Sequence, residues 1–227
     1  MSPDTPDEDI TKKSVVYDMA GTDAVIVSRD VEFRAAAAGM LAMDLYYPSD
    51  SQRGARLPAV LVVAGFPDVG FQAKVGCRFK EMAASVSWGR LIAASGMVAI
   101  AYTNRQPAAD LHASLDLDGA TGVADAARMF GFVNPCAGKS VDDLSRDLPL
   151  FVARAAHDQL PRLNDTLDRF VSGALACNLP LTFANHATAP HAFDLFHDSE
   201  ASREIIGQML AFLRFHLLPG STGAARR

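Results

Sequence analysis

Four short, mainly apolar runs constrain the fold of this chain more than any other feature: Ala59–Ala64 (AVLVVA), Met97–Tyr102 (MVAIAY), Leu148–Ala155 (LPLFVARA) and Leu179–Asn185 (LPLTFAN). Each has the length of a strand and lacks the apolar–polar alternation of a half-solvated sheet. That is the pattern of strands covered on both faces in a parallel sheet. Between them lie stretches with helical spacing. Ser85–Ala94 is followed by Gly96, which suits the position just past a helix end. Leu160–Cys177 places Leu163, Leu167, Phe170, Val171 and Ala174 on one face. Glu200–Leu217 places Ile206, Met209, Leu210, Leu213 and Leu217 on one face, with Ser199 as its N-cap. Strand and helix alternate, so the expected class is α/β, a mostly parallel sheet with helices on both faces.

The chain starts differently. Ala24–Phe33 alternates, with an irregularity at Arg29-Asp30, and Met40–Tyr47 reads as a second strand stopped by Pro48. The pair predicts an antiparallel hairpin ahead of the parallel strands. The first 14 residues are polar and are expected to be a disordered tail; 15–218 read as one domain, and 219–227 as a basic tail.

Composition removes several function classes. With 49% hydrophobic and 21% charged residues the chain is neither disordered nor fibrous. A net charge of −5 argues against general nucleic-acid binding. Cys77, Cys136 and Cys177 form no C-x-x-C pair, and no His spacing suggests a metal site, so neither metal nor organic cofactor is expected. No G-x-G-x-x-G follows a strand, which disfavours a dinucleotide enzyme. No leader-like segment is visible, and no apolar run approaches the ~18 residues that span a membrane. The expected setting is a reducing cytoplasm, without membrane or nucleic-acid partners.

Ligands of open α/β sheets bind beyond the carboxyl ends of the strands. Three segments follow such ends: Gly65–Gly70, Ala156–Pro161 and Ala187–Phe193. Asp158 stands just past the third apolar run, and His191 a short loop past the fourth, 33 residues later. Alone, Asp158 reads as a helix cap and His191 as a packed side chain. Together they have the order that lets a carboxylate orient a histidine that takes a proton from a hydroxyl or thiol. His186 is a runner-up base at a strand end, where a structural hydrogen bond suffices. His157 sits beside the acid.

These segments resemble the α/β-hydrolases, and within them the dienelactone-hydrolase-like group. PLFVARAAHD is similar to that group's strand ending in the acid. NHATAPHAFDLF is similar to its His-Gly-Phe-Asp segment, with Ala192 in place of Gly, and SREIIGQMLAFLRFHL to its terminal helix. MLAMDLYYP, LPAVLVVAGFPD and SWGRLIAASGMVAIAYTN resemble its first strands and helix. The resemblance spans most of 24–104 and 116–217. It implies an acid at Asp158, a base at His191, and an oxyanion donor in the backbone N–H of Phe66.

The nucleophile of such enzymes sits in G-x-S-x-G or G-x-C-x-G, a strained strand-to-helix turn. No pair of glycines four apart flanks any Ser or Cys here. The 45 residues from Thr103 to Asp147 are also few, because two strand–helix units need about 50 to 60 residues. The expectation is a fold abbreviated in the middle, lacking the nucleophile-bearing unit, with a junction near Ser114–Asp116. Two substitutes remain. Cys136 has Lys139 nearby to favour a thiolate, but stands only 22 residues before Asp158. Ser114 has the right place in chain order but neither glycine. Ser87 reads as a helix serine, and Ser140 as a cap with Asp143. Losing a central strand would expose sheet edges, which pairing in a homo-oligomer is one way to cover.

Three readings stay open. One is a hydrolase of a small ester or lactone using Asp158 and His191. Another is a catalytically inactive hydrolase-fold protein that binds a ligand or partner. The third is a deletion product that keeps the scaffold alone.

Overall fold

In the computed structural model, the described residues are 9–36, 39–51, 56–63, 72–73, 75–103, 140–160 and 163–218. Phe66, Ser114, Cys136, the Gly65–Gly70 loop, the amphipathic stretch near 121–130 and the junction near Ser114–Asp116 lie outside them.

Strands β1 (Ile26–Ala36) and β2 (Gly39–Tyr47) form the expected antiparallel hairpin. Strand β3 (Ala59–Val62), helix α1 (Ala83–Ala94) and strand β4 (Val98–Tyr102) form a β–α–β unit, with β3 and β4 parallel neighbours. Strand β5 (Leu150–His157), helix α2 (Leu163–Ala176) and strand β6 (Leu181–Pro190) form a second such unit. A single helical turn, α3 (Phe193–Phe196), leads into α4 (Glu200–Leu217). The first sheet has the order β1-β2-β4-β3, and the second is the pair β5-β6. The single sheet expected from the sequence is therefore two sheets among the described residues.

One helix serves both. Ile206 and Leu210 of α4 pack with Leu91, Ile92 and Ala93 of α1 against Tyr46, Ala99 and Ala101 of the first sheet. Their neighbours Ile205 and Met209 pack against Phe151, Ala153, Ala155 and Ala184 of the second. On that sheet's other face, Phe170 and Ala174 of α2 cover Leu150, Val152 and Leu181. The second sheet thus has helices on both faces, but on β6 the expected two-sided burial is incomplete: Phe183 is 42% exposed. On β3 the prediction is corrected: Leu61 is 58% exposed, because the described helices cover only the face that carries Val60 and Val62.

The irregularity at Arg29-Asp30 is a break in the β1–β2 register between Ser28 and Val31. Asp30 has a left-handed backbone (φ 53°), and its N–H donates to Asp44 Oδ1 at 2.9 Å. Lys80, 1% exposed, places Nζ 2.8 Å from Asp44 Oδ1 and 2.9 Å from Asp30 Oδ1. The hydrogen bond from Lys80 holds the Asp30 carboxyl below the usual range. Asp44, fully buried on β2, thus accepts from both a backbone amide and an ammonium, as a buried carboxylate must.

Helix ends follow the sequence. Ser199 Oγ accepts from the Ser202 N–H at 3.1 Å, and Gly96 takes φ 92° past the end of α1. Ser140 and Asp143 form the predicted reciprocal cap, on a single 3-10 turn (Val141–Asp143). The described chain start packs on α1 from Val15, the first residue of the expected domain. Asp9 caps a turn at Ile10–Lys12, and Val15 is buried, its N–H donating to Ser87 Oγ at 3.0 Å. Ser87 also donates to Ala84 O, so it is a structural helix serine.

Gly89 lets α1 approach β2. A Cβ at this position would lie 2.8 Å from the ring of Tyr46, which is fully buried. Gly89→Ala forces the ring or the helix to shift. Such overpacking costs about 1–3 kcal/mol, which is a fall of roughly 3–10 °C in thermal midpoint for a domain of this size. A midpoint equal to that of the parent chain would contradict this packing.

Candidate functional site

The second sheet brings two predicted residues together at its carboxyl end, after a register shift between Ala155 and His157 that gives β6 two extra residues. His157, the last residue of β5, is the strand partner of Pro190, the last of β6. The next residue on each parallel strand is Asp158 or His191. Both therefore leave the sheet side by side at its carboxyl end.

Their side chains meet. His191 Nδ1 and Asp158 Oδ2 are 2.7 Å apart, with the carboxylate side chain 5% exposed and the imidazole 45% exposed. The other carboxylate oxygen, Oδ1, accepts the Leu160 N–H at 2.8 Å. Asp158 thus acts as a turn cap and as a histidine partner at once, which joins the two readings of it that the sequence allowed. A carboxylate with both oxygens engaged in this way is held in one orientation. Asn164 donates from Nδ2 to Ala155 O at 2.9 Å, which ties the end of β5 to α2. Gln159 Oε1 accepts the His191 N–H at 3.2 Å.

With Nδ1 facing the acid, a neutral imidazole carries its proton there, and Nε2, which has no hydrogen-bond partner among the described residues, is left as the acceptor. The pair opens on a cleft of about 510 Å³. Its walls are apolar: Leu148, Phe151 and Val152 come from β5 and its approach, and Leu163, Leu167 and Phe170 from α2. Trp88, Phe193, Asp194 and Met209 also line it. No Ser, Cys or Thr is among these described lining residues. The sequence-derived nucleophile candidates Ser114 and Cys136, and the amide of Phe66, fall outside the described residues.

Ala192, directly after His191, is left-handed (φ 53°, ψ 46°). That region costs a residue with a Cβ about 1–2 kcal/mol, which explains why Gly suits this position in the segment that NHATAPHAFDLF resembles. Asp194 and Trp88 had no role in the sequence reading. Trp88 Nε1 donates to Asp194 Oδ2 at 2.9 Å. Burial pushes the Asp194 carboxyl above the usual range, against the opposing pull of the Trp88 hydrogen bond and the charge on His191. The Asp in HAFD was a visible signal, but its partner lies 106 residues away. The loop expected over Ala187–Phe193 is shorter than predicted, because β6 runs on to Pro190.

His186 is placed elsewhere. It is 3% exposed, and its Nε2 is 3.0 Å from Ser202 Oγ, which also meets His197 Nδ1 at 3.1 Å and Ser199 Oγ at 3.0 Å. This polar cluster fastens β6 to the start of α4. His157 is exposed beside the acid. Among the described residues, no group of three or more His, Cys, Asp or Glu could hold a metal ion, and no helix is long and apolar enough to cross a membrane.

No family model matches the sequence, and no curated protein is similar to it. Solved structures are. The chain is similar to a bacterial heroin esterase, with 10% identity, a TM-score of 0.53, and coverage of 89% of this chain and 87% of that one. It is also similar to esterase B from Lactobacillus rhamnosis, with 12% identity, a TM-score of 0.52, and coverage of 86% and 87%. At such identities the likeness is one of fold: the chain has the α/β-hydrolase fold.

Burial, and next to it the charge of His197, hold the His186 imidazole below its ordinary value. The folded state therefore disfavours its proton relative to the unfolded chain. The associated stability is complete above the unfolded value of about 6.5 and is lost as pH falls below it. Asp194, raised, has the opposite sign at lower pH: its stabilisation is complete in acid and is lost as pH rises through its folded value. Thermal midpoints compared between about pH 8 and pH 5 should fall with acid in the parent chain and fall less in His186→Gln. Equal slopes in the two would remove His186 as the cause.

Proposed function

We propose that this chain hydrolyses a small carboxylic ester, with a lactone as the cyclic form of the same substrate class. Asp158 orients the base His191. The observation that carries this reading is the 2.7 Å contact between them at the carboxyl end of two paired parallel strands. The α/β-hydrolase fold, shared with solved esterases, supports it.

The proton traffic follows from the geometry. A Ser or Cys from outside the described residues, Ser114 or Cys136 being the candidates, gives its proton to His191 Nε2 as its oxygen or sulfur bonds to the acyl carbon. Asp158 stabilises the imidazolium through Nδ1 and does not take the proton. The carbonyl oxygen becomes an oxyanion, for which the Phe66 amide is the candidate donor. As the carbonyl re-forms, the bond to the leaving alkoxide breaks and His191 protonates it. Water then attacks the acyl-enzyme as His191 accepts its proton; the bond from the acyl carbon to the Ser or Cys breaks, His191 returns that proton to the Ser or Cys, and the carboxylic acid leaves. The apolar cleft beside the pair suits a hydrocarbon acyl group better than a charged one.

A second reading rests on one observation, the cleft's lack of any described Ser, Cys or Thr. It is a hydrolase-fold protein that binds a small apolar molecule and transforms nothing.

The test is intact mass and peptide mapping after mixing with p-nitrophenyl acetate, alongside steady-state hydrolysis. An acetyl adduct on one Ser or Cys, with turnover reduced by about 100-fold or more in His191→Ala, is the expected result. Asp158→Asn should lose activity while keeping the fold. A folded, monodisperse chain that gives neither adduct nor turnover supports the binding reading.

A further inference from the structure

The two parts of the candidate site ride on different sheets. Trp88, on α1, lines the cleft and packs with the first sheet; Asp158 and His191 follow the strands of the second. No strand pairing among the described residues joins the two. Among the described residues, packing and a few directed bonds link them.

Those bonds converge on one residue. Trp88 Nε1, on α1, donates to Asp194 Oδ2 at 2.9 Å. The Asp194 carbonyl accepts the Val16 N–H at 2.8 Å, and Val15 is in turn bonded to Ser87 of α1. The turn carrying His191 is thus tied to α1 by a side chain and by the chain start. The turn needs tying, because Ala192 is held left-handed at a position where its Cβ opposes that conformation. Asp158 and Gln159 grip His191 from the β5 side. Asp194 and Trp88 grip its turn from the α1 side, and both line the same cleft as His191.

We propose that Asp194 is a positioning residue for His191: its bond to Trp88 fixes the His191 turn against α1 and so sets where imidazole Nε2 points. The inference rests on the reading of His191 as the base. A misplacement of that atom by about an ångström would be enough to cost catalysis roughly 100-fold.

The test uses the full chain with Trp88→Phe, Asp194→Ala and Asp194→Asn. Trp88→Phe keeps the ring's volume and removes the donor. Asp194→Asn keeps an oxygen to accept from Trp88. Imidazole nitrogen and proton signals of His191, assigned with His191→Ala, report its setting whether or not the chain turns over. Trp88→Phe and Asp194→Ala should move or broaden those signals. They should also lower kcat on p-nitrophenyl acetate by roughly 10- to 100-fold with KM little changed. Asp194→Asn should retain the Trp88 indole N–H signal and recover most of kcat. Unmoved His191 signals in Trp88→Phe and Asp194→Ala, with only the thermal midpoint lowered, would make the pair a brace and overturn the proposal. Should Asp194→Ala fail to fold, Trp88→Phe and Asp194→Asn carry the same comparison. Absence of turnover in the parent chain defeats the esterase reading alone, since the His191 signals still decide this one.

Discussion

Apolar burial by α4 is the interaction on which the rest of the structure depends. Successive residues of one helix enter different cores: Ile205 and Met209 pack on the β5–β6 pair, while Ile206 and Leu210 pack with α1 over the first sheet. Among the described residues, no backbone ladder joins the sheets. Burial is non-directional and holds them together without fixing a register. The directed contacts at the helix start supply what burial lacks. Ser199 caps the helix, and the fully buried Ser202 bonds to His186 on β6. The helix is thereby locked to the strand that delivers His191.

The candidate site inherits its precision from the strand pair. In a parallel ladder, residues at equivalent positions leave the sheet together. The His157–Pro190 pairing, reached through a register shift after Ala155, makes Asp158 and His191 backbone neighbours. Side-chain chemistry then refines the arrangement. Asp158 divides its oxygens between a backbone amide and the imidazole, so one residue both ends the strand and holds the histidine. On the far side, the left-handed Ala192 and the Trp88–Asp194 bond show local strain held by contacts across the fold.

Charge is placed with the same economy around the hairpin. Lys80 is buried between Asp44 and Asp30, at the point where β1 breaks register. A buried ion pair is weak evidence of net stability, but leaving one partner alone is costly. The bulge and the ammonium are therefore coupled: the bulge turns Asp30 toward Lys80, and Lys80 occupies Asp44.

Much of this was written in the sequence. The apolar runs gave three of the four strands to within about two residues, an ordinary boundary error. The i, i+3, i+4 spacing gave α4, and Ser199, Gly96 and the Ser140–Asp143 pair marked their turns because capping is local chemistry. Asp158 and His191 were legible because strand ends in a parallel sheet have a fixed chemical meaning. Other features depend on contacts between distant residues, and no local pattern encodes those. The exposure of Leu61 depends on which helix covers β3, and the division into two sheets depends on which edges pair. The buried start at Val15 needs Ser87, 72 residues later. Asp194 was visible as a residue and invisible as a contact, since its partner Trp88 comes to it only when α1 and the His191 turn are packed together. The sequence by itself determined the strands, the helices and the two residues that meet at the strand ends. The tertiary structure decided what holds those two residues in place, because that depends on long-range burial and on bonds no segment can make alone.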